Sequence, residues 1–260
     1  MGEGKFTQEK IEDIADFISR YVSHMLGAGV HTSRVVRNSK RIGTALGTDV
    51  RLHTSQKTAM LTVCEKDGRL MSTRVVDIPG FPISFEWNAD LSALSWAAYD
   101  NNMSLDAIRH KFEEIISKPR INPWFVLFMV GLANMSFCRL FGGGIWAMLI
   151  VFTSTLVGFY LRQHLMHCGV NHYVVFIVSA FVASLCASSA LTLGIDSAEI
   201  ALATSVLYLV PGVPLINGVI DITDGHIQIG ISRLVNALML IICIAIGMSA
   251  TLMLVKDSLL

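Results

Sequence analysis

The sequence predicts an α-helical membrane protein with five transmembrane helices, preceded by a small cytoplasmic α+β domain. Three observations predict it. The chain is 53% hydrophobic and 15% charged, with a mean hydropathy of +0.57. That is too apolar for an ordinary soluble domain and too charged for a chain wholly within lipid. The charges are segregated: residues 1–122 hold 16 of the 20 Lys+Arg and 15 of the 20 Asp+Glu. The rest of the chain contains five apolar segments of 17 to 22 residues, each near the ~20 needed to cross the hydrocarbon core. They cover 124–141, 145–161, 173–193, 200–220 and 234–255. Two domains are therefore expected, 1–122 in the cytoplasm and 123–260 in the membrane.

The first domain reads as helix, helix, hairpin, helix, helix. Ile11, Ile14, Ile18, Tyr21, Val22 and Met25 recur at helical spacing over 8–26 and stop at Gly27 and Gly29. A second helix follows Thr32 and closes at Gly47. "TAMLTVCEKDGRLMSTRVV" then alternates around a Lys-Asp-Gly-Arg turn, the pattern of a β-hairpin. Helices near 90–99 and 104–117 complete the domain, the latter capped by Ser104. The domain has no GxSxG, no P-loop and no GxGxxG in a βαβ setting, so no catalytic group or cofactor is expected and the chain reads as no enzyme.

Net charge is zero, with no basic cluster interleaved with aromatics, which leaves nucleic acid without an electrostatic footprint. The five cysteines are scattered, and His164, His167 and His172 match no strong metal spacing; no metal is expected. The opening "MGEGKFTQEKIEDIADF" lacks a basic stretch followed by an apolar one, so no cleaved signal peptide is expected. Arg109, Lys111, Lys118, Arg120, Arg162 and Arg233 fall on one side of the membrane, against Arg139 and Lys256 on the other. That bias puts the N-terminus in the cytoplasm and, after five spans, the C-terminus outside.

Polar residues in the spans separate into structural and functional candidates. Asp196 reads as an N-cap with Glu199 at the third position. Arg139 and Arg162 end their spans and are expected to snorkel to the interface, although Arg162 shares a face with Thr155 and Gly158, which keeps a pathway role open for it. Gly131, Asn134 and Cys138 lie on one face of the first span, where small and polar residues favour close packing; Asn134 is a pathway candidate as well.

The fourth span raises the sharpest question. It runs into "LVPGVPLINGVIDITDGHIQIGISR", where Pro211 and Pro214, with Gly212 between them, should break a helix. Non-helical backbone at membrane depth is tolerated only where protein or a water-filled cavity covers it, and transporters use such breaks to coordinate ions and substrates. After Pro214 a helix can restart, placing Asn217, Asp221 and Asp224 on one face at i, i+4 and i+7. A charge at the bilayer centre costs about 2.5–3.5 kcal/mol on insertion scales, so Asp221 should face a polar passage or the cytoplasmic interface rather than lipid. His226 follows, a residue type whose unperturbed form titrates near neutrality and would suit proton coupling. Pro211, Gly212, Pro214, Asn217, Asp221, Asp224 and His226 form the principal candidate pathway.

Four stretches resemble the threonine/serine exporter family (ThrE), and more closely its short YjjP-type members, which contain only the first half. They are "LGAGVHTSRVVRNSKRIGTALG", the hairpin around "CEKDGR", "MVGLANMSFCRLFGGG", and, most specific, the proline-bearing segment above. The likeness covers essentially the whole chain; His31 departs from it, standing where an acid or other polar residue is common. The resemblance implies a secondary exporter of small polar metabolites, threonine and serine for the longer members and dicarboxylates such as succinate for the short ones. It also implies a separate membrane subunit that supplies the missing half. Five spans put the termini on opposite sides, as expected for one half of an inverted five-plus-five repeat, so an oligomer in a lipid membrane, with proton coupling expected from the polar ladder, is the leading reading. A membrane-anchored enzyme or sensor acting through residues 1–122 is the alternative.

Overall fold

The computed structural model describes residues 7–119 and 121–255. Arg120 and Lys256, used above to orient the chain, and the first six residues lie outside them. Helices are α1 (Gln8–Gly27), α2 (Thr32–Ala45), α3 (Phe85–Asp100), α4 (Leu105–Ser117), α5 (Pro123–Leu140), α6 (Ile145–His167), α7 (His172–Ala187), α8 (Ser189–Thr192), α9 (Ala198–Thr204), α10 (Gly212–Thr223) and α11 (Ile227–Val255). Strands are β1 (Thr48–Thr54), β2 (Thr58–Glu65) and β3 (Met71–Asp77). The described residues form two compact units, 7–119 with 213–234, and 121–212 with 235–255.

In the first unit, local chemistry starts most helices. Thr7, Ser84 and Ser104 cap α1, α3 and α4 by accepting from the N–H groups of Lys10, Trp87 and Ala107. The strands make one antiparallel sheet in the order β1-β2-β3, pairing Val50 with Val63 and Leu61 with Arg74. Sequence alternation found β2 and β3 but missed β1, whose "TDVRLHT" carries only two aliphatic residues; cross-strand pairing stabilises it more than its own pattern does. Ala59, Leu61 and Val63 point into a core filled by Ile14, Ile18, Tyr21, Leu91 and Phe112. Phe17 meets Phe112 edge-on at 5.6 Å, and the buried Tyr21 hydroxyl donates to the Leu91 carbonyl at 2.8 Å, which satisfies a polar atom that burial would otherwise penalise.

The same unit includes the helical hairpin of α10 and the first turns of α11. Its two helices touch nearly backbone to backbone: a methyl added at Gly230 would lie 2.7 Å from the Gly218 carbonyl oxygen and 3.0 Å from the Ile222 nitrogen. Gly225, at φ 87°, closes α10, with the His226 N–H returning to the Asp221 carbonyl at 2.7 Å. The fifth span was expected from residue 234; α11 instead begins at Ile227, because the Asp224–Gly225–His226 turn is completed in three residues and leaves the rest free to be helical.

In the second unit, Asn122 and Asn171 cap α5 and α7. Four helices are long and apolar enough to cross a membrane: α5, α6, α7 with α8, and α11. A fifth candidate is the broken pair Ala198–Leu209 and Gly212–Thr223, bent by 62° at Val210–Pro211. The proline pair therefore does interrupt the helix, and α10 carries Pro214 in its first turn, where its missing N–H costs nothing. One cap was misjudged. Ser197, not Asp196, occupies the N-cap of α9, and its hydroxyl accepts from the Gly144 N–H at 3.0 Å. The serine thus ties α9 to the start of α6 instead of capping its own helix.

Candidate functional site

Asp221 is the fully buried carboxylate of the described residues, at 0% exposure. Its partners all come from the first unit. Oδ1 accepts from the Thr32 N–H at 2.8 Å, and Oδ2 accepts from the Thr32 hydroxyl at 3.2 Å. Arg233 places Nη1 3.0 Å from Oδ2. Helix α10 presents Asp221, and α11 returns Arg233 one hairpin later.

The loop between α1 and α2 explains why the carboxylate is needed. His31 holds the N-cap position of α2 but makes no side-chain capping bond, so the first turn of that helix lacks the acceptor that Ser, Thr, Asp or Asn would provide. Asp221 supplies it from 189 residues away, and its negative charge sits at the positive end of the helix dipole. Two more bonds hold the same loop. Asn217 Nδ2 donates to the Gly29 carbonyl at 2.6 Å, and Arg233 Nη2 donates to the Val30 carbonyl at 3.1 Å. Gly29 makes this possible: φ 86° turns the chain sharply after α1, a conformation a side chain would resist. Asn217, Asp221 and Arg233 thus fasten a helical hairpin to the one loop between α1 and α2.

A buried ion pair is not strongly stabilising in itself, since desolvation consumes most of its attraction. What it does is make the arrangement sensitive to charge. With Asp221 ionised, Arg233 and the α2 N-terminus both have a counter-charge; with Asp221 protonated, both lose it.

Of the other expected site residues, Asp224 is exposed just past the end of α10 and does not continue the ladder. His226 lines a cleft of about 280 Å³ together with His53, Thr54 and Ile229. Pro211 lies in the break, Gly212 opens the restarted helix α10, and Pro214 sits in its first turn. Asn134 is buried in the second unit, where its Nδ2 donates to the Thr155 hydroxyl at 3.0 Å and to the Thr204 carbonyl at 3.4 Å. Arg162 is half-buried, its guanidinium over the rings of Phe159 and Phe176 at 5.6 and 5.3 Å. Sequence reasoning missed Thr32 as a ligand of Asp221 and counted Arg233 only as an inner-side charge. The one signal for Arg233 was its place twelve residues after Asp221, beyond a glycine turn.

His31 adds a pH dependence. Burial, then the neighbouring Arg34, lowers its pKa below the ordinary histidine value, against the pull of Asp221; Arg37 lowers it further and Asp224 opposes. Its Nδ1 is buried without a hydrogen-bond partner. Between the folded and unfolded pKa values the unfolded chain binds the proton more readily, so stability is full above about pH 6.5 and declines as pH falls below it. We expect His31→Gln to flatten that decline in thermal unfolding scans between pH 7.5 and 5; an unaltered acid slope would remove His31 as its cause.

The described residues thus combine a buried carboxylate–guanidinium pair, a proline-broken apolar helix and four or five candidate membrane spans. The chain belongs to the threonine/serine exporter family: the family model ThrE, described as "Putative threonine/serine exporter", matches residues 16–255. It is 33% identical over 235 residues to a protein of Klebsiella aerogenes named "Probable succinate transporter subunit YjjP", covering 88% of this chain and 90% of that one. The Escherichia coli K12 protein of the same name is 32% identical over the same shares. No solved structure matches.

Proposed function

We propose that this chain is one subunit of a secondary-active exporter of small polar metabolites, either threonine/serine-type amino acids or small dicarboxylates such as succinate. It is proton-driven and completed by a second membrane subunit. It lies in the cell (inner) membrane as five spans, with its N-terminus cytoplasmic and its C-terminus on the far side. Family membership and the names of its relatives support the class, and the word subunit in both names supports the partner.

The observation that carries the mechanism is the Asp221 site. Protonation of Asp221 removes the counter-charge of Arg233 and leaves Thr32 with a neutral, weaker acceptor. The hairpin of α10 and α11 is then fastened to the Gly29–Thr32 loop by Asn217, the Arg233–Val30 bond and the weakened Thr32 contact, without the ion pair. Two protonation states therefore correspond to two strengths of the same fastening, the kind of bistable element on which coupling depends. Pro211, Gly212 and Pro214 supply the joint next to it.

Reconstitution in liposomes tests this reading. The chain is inserted alone and as its native complex, and efflux of labelled threonine, serine and succinate is followed under an imposed proton gradient. At least one of the three should move with the complex and not with the chain alone. If none moves, the exporter reading fails; if the chain alone works at the full rate, the second subunit is excluded.

A further inference from the structure

Among the described residues of the second unit, Arg162 is a cation without an acidic partner. It lies near the C-terminal end of α6, its guanidinium beside Phe159 of the same helix and Phe176 of α7. Its Nε is buried without a hydrogen-bond partner, and among the described residues the side chain forms no ion pair. Tyr208 and His172 are its titratable neighbours. Neither is an acid. The two carboxylates of this unit within the described residues, Asp196 and Glu199, belong to the start of α9, which Ser197 ties to Gly144 at the opposite end of α6. Eighteen residues of helix separate Gly144 from Arg162, roughly 27 Å at the helical rise.

A second polar atom nearby is also unsatisfied. Ser179 is 0% exposed, and its hydroxyl has no partner, while its carbonyl accepts from the Tyr208 hydroxyl at 3.4 Å. Gly158 keeps this place open: an added methyl there would run into Tyr208 Oη and lie 2.7 Å from Ala183 Cβ. On α7, His172, Phe176, Ser179 and Ala183 share one face. Buried donors without acceptors cost free energy, and a guanidinium without an anion costs more. Two such donors set around one tyrosine, with aromatic walls, are what a small anion would satisfy.

We propose that Arg162, with the Ser179 and Tyr208 hydroxyls, binds the carboxylate of the transported molecule. This rests on the exporter reading and narrows its cargo. A guanidinium recognises a carboxylate by paired N–H donors, whereas among the described residues of this unit no carboxylate stands near Arg162 to receive an ammonium group. The site therefore favours a dicarboxylate over a zwitterionic amino acid. An anionic lipid headgroup offers related chemistry, and the test separates the two sources.

The full-length chain is purified into nanodiscs of phosphatidylcholine alone, and equilibrium binding of labelled succinate and labelled serine is measured. Succinate binding should weaken at least tenfold in Arg162→Gln, less in Arg162→Lys, and about threefold or more in Ser179→Ala, with serine binding weaker and indifferent to all three. Because Arg162 forms no ion pair among the described residues and gives up only its ring contacts with Phe159 and Phe176, Arg162→Gln should unfold close to the wild-type temperature, which separates a lost site from a lost fold. Equal succinate binding by wild type and Arg162→Gln overturns the proposal. So does a wild type that binds no succinate but retains phosphatidylglycerol, in mixed nanodiscs, through Arg162. Should succinate bind through Arg162 while the complex transports nothing, the exporter reading fails and the site stands; should export proceed at the wild-type rate in Arg162→Gln, the reverse holds.

Discussion

Replacing Asp221 by alanine should destabilise the protein by about 3–5 kcal/mol, the usual cost of removing one partner of a buried ion pair. Arg233 is only 17% exposed, so its guanidinium would be left without a counter-charge, and the Thr32 N–H would lose the acceptor that caps α2. The companion variant, Asp221→Ala with Arg233→Leu, removes both charges and should recover much of that loss, because apolar replacement of a whole buried pair is close to neutral. Measured in the same detergent, the double variant should unfold well above the single one. Export should be absent from both. A double variant that is stable and still exports would show that the pair holds the fold and nothing more; a single variant as stable as wild type would show that the pair is not what fastens the hairpin.

The second large effect is expected at Gly230. Its missing side chain lets α11 touch α10, and the atoms an added methyl would meet include the Gly218 carbonyl oxygen at 2.7 Å and the Ile222 nitrogen at 3.0 Å. Backbone atoms cannot rotate away as a long side chain would, so the hairpin must open. Overpacking of this kind costs about 1–3 kcal/mol for one or a few carbons, and Gly230→Val should lie at or beyond the upper end. Opening the hairpin also draws Arg233 from Asp221, so the stability loss should bring a loss of export that extra protein does not restore. Gly212→Ala is the control for stability, since a methyl there meets nothing within 4 Å. If Gly230→Val and Gly212→Ala unfold at the same temperature, the close approach has no energetic weight.

What the sequence disclosed follows from range. The break at Pro211 and the polar face of Asn217 and Asp221 were legible because proline chemistry and helical periodicity act within a few residues. The segregated charges and apolar lengths announced the membrane segments for the same reason. The partners of Asp221 were not legible. Thr32 is 189 positions away, and nothing in "GAGVHTSRVV" says that its helix will be capped by another segment; His31 in the capping position is visible only afterwards as the defect that Asp221 repairs. Arg233 looked like one more inner-side charge, since a periodic pattern cannot tell a solvated arginine from a paired one. Strand β1 was hidden for a related reason, its stability residing in the neighbouring strand.

The Asp221 carboxylate is the centre of the account, and the most direct measurement is gradient-driven export by Asp221→Asn. Asparagine keeps the shape and an acceptor for the Thr32 N–H but cannot exchange a proton or counter the charge of Arg233. In proteoliposomes containing the native complex, the account predicts that labelled substrate leaves wild-type vesicles when a proton gradient is imposed and stays within Asp221→Asn vesicles carrying equal amounts of inserted protein. Export at the wild-type rate from the Asp221→Asn vesicles would contradict it.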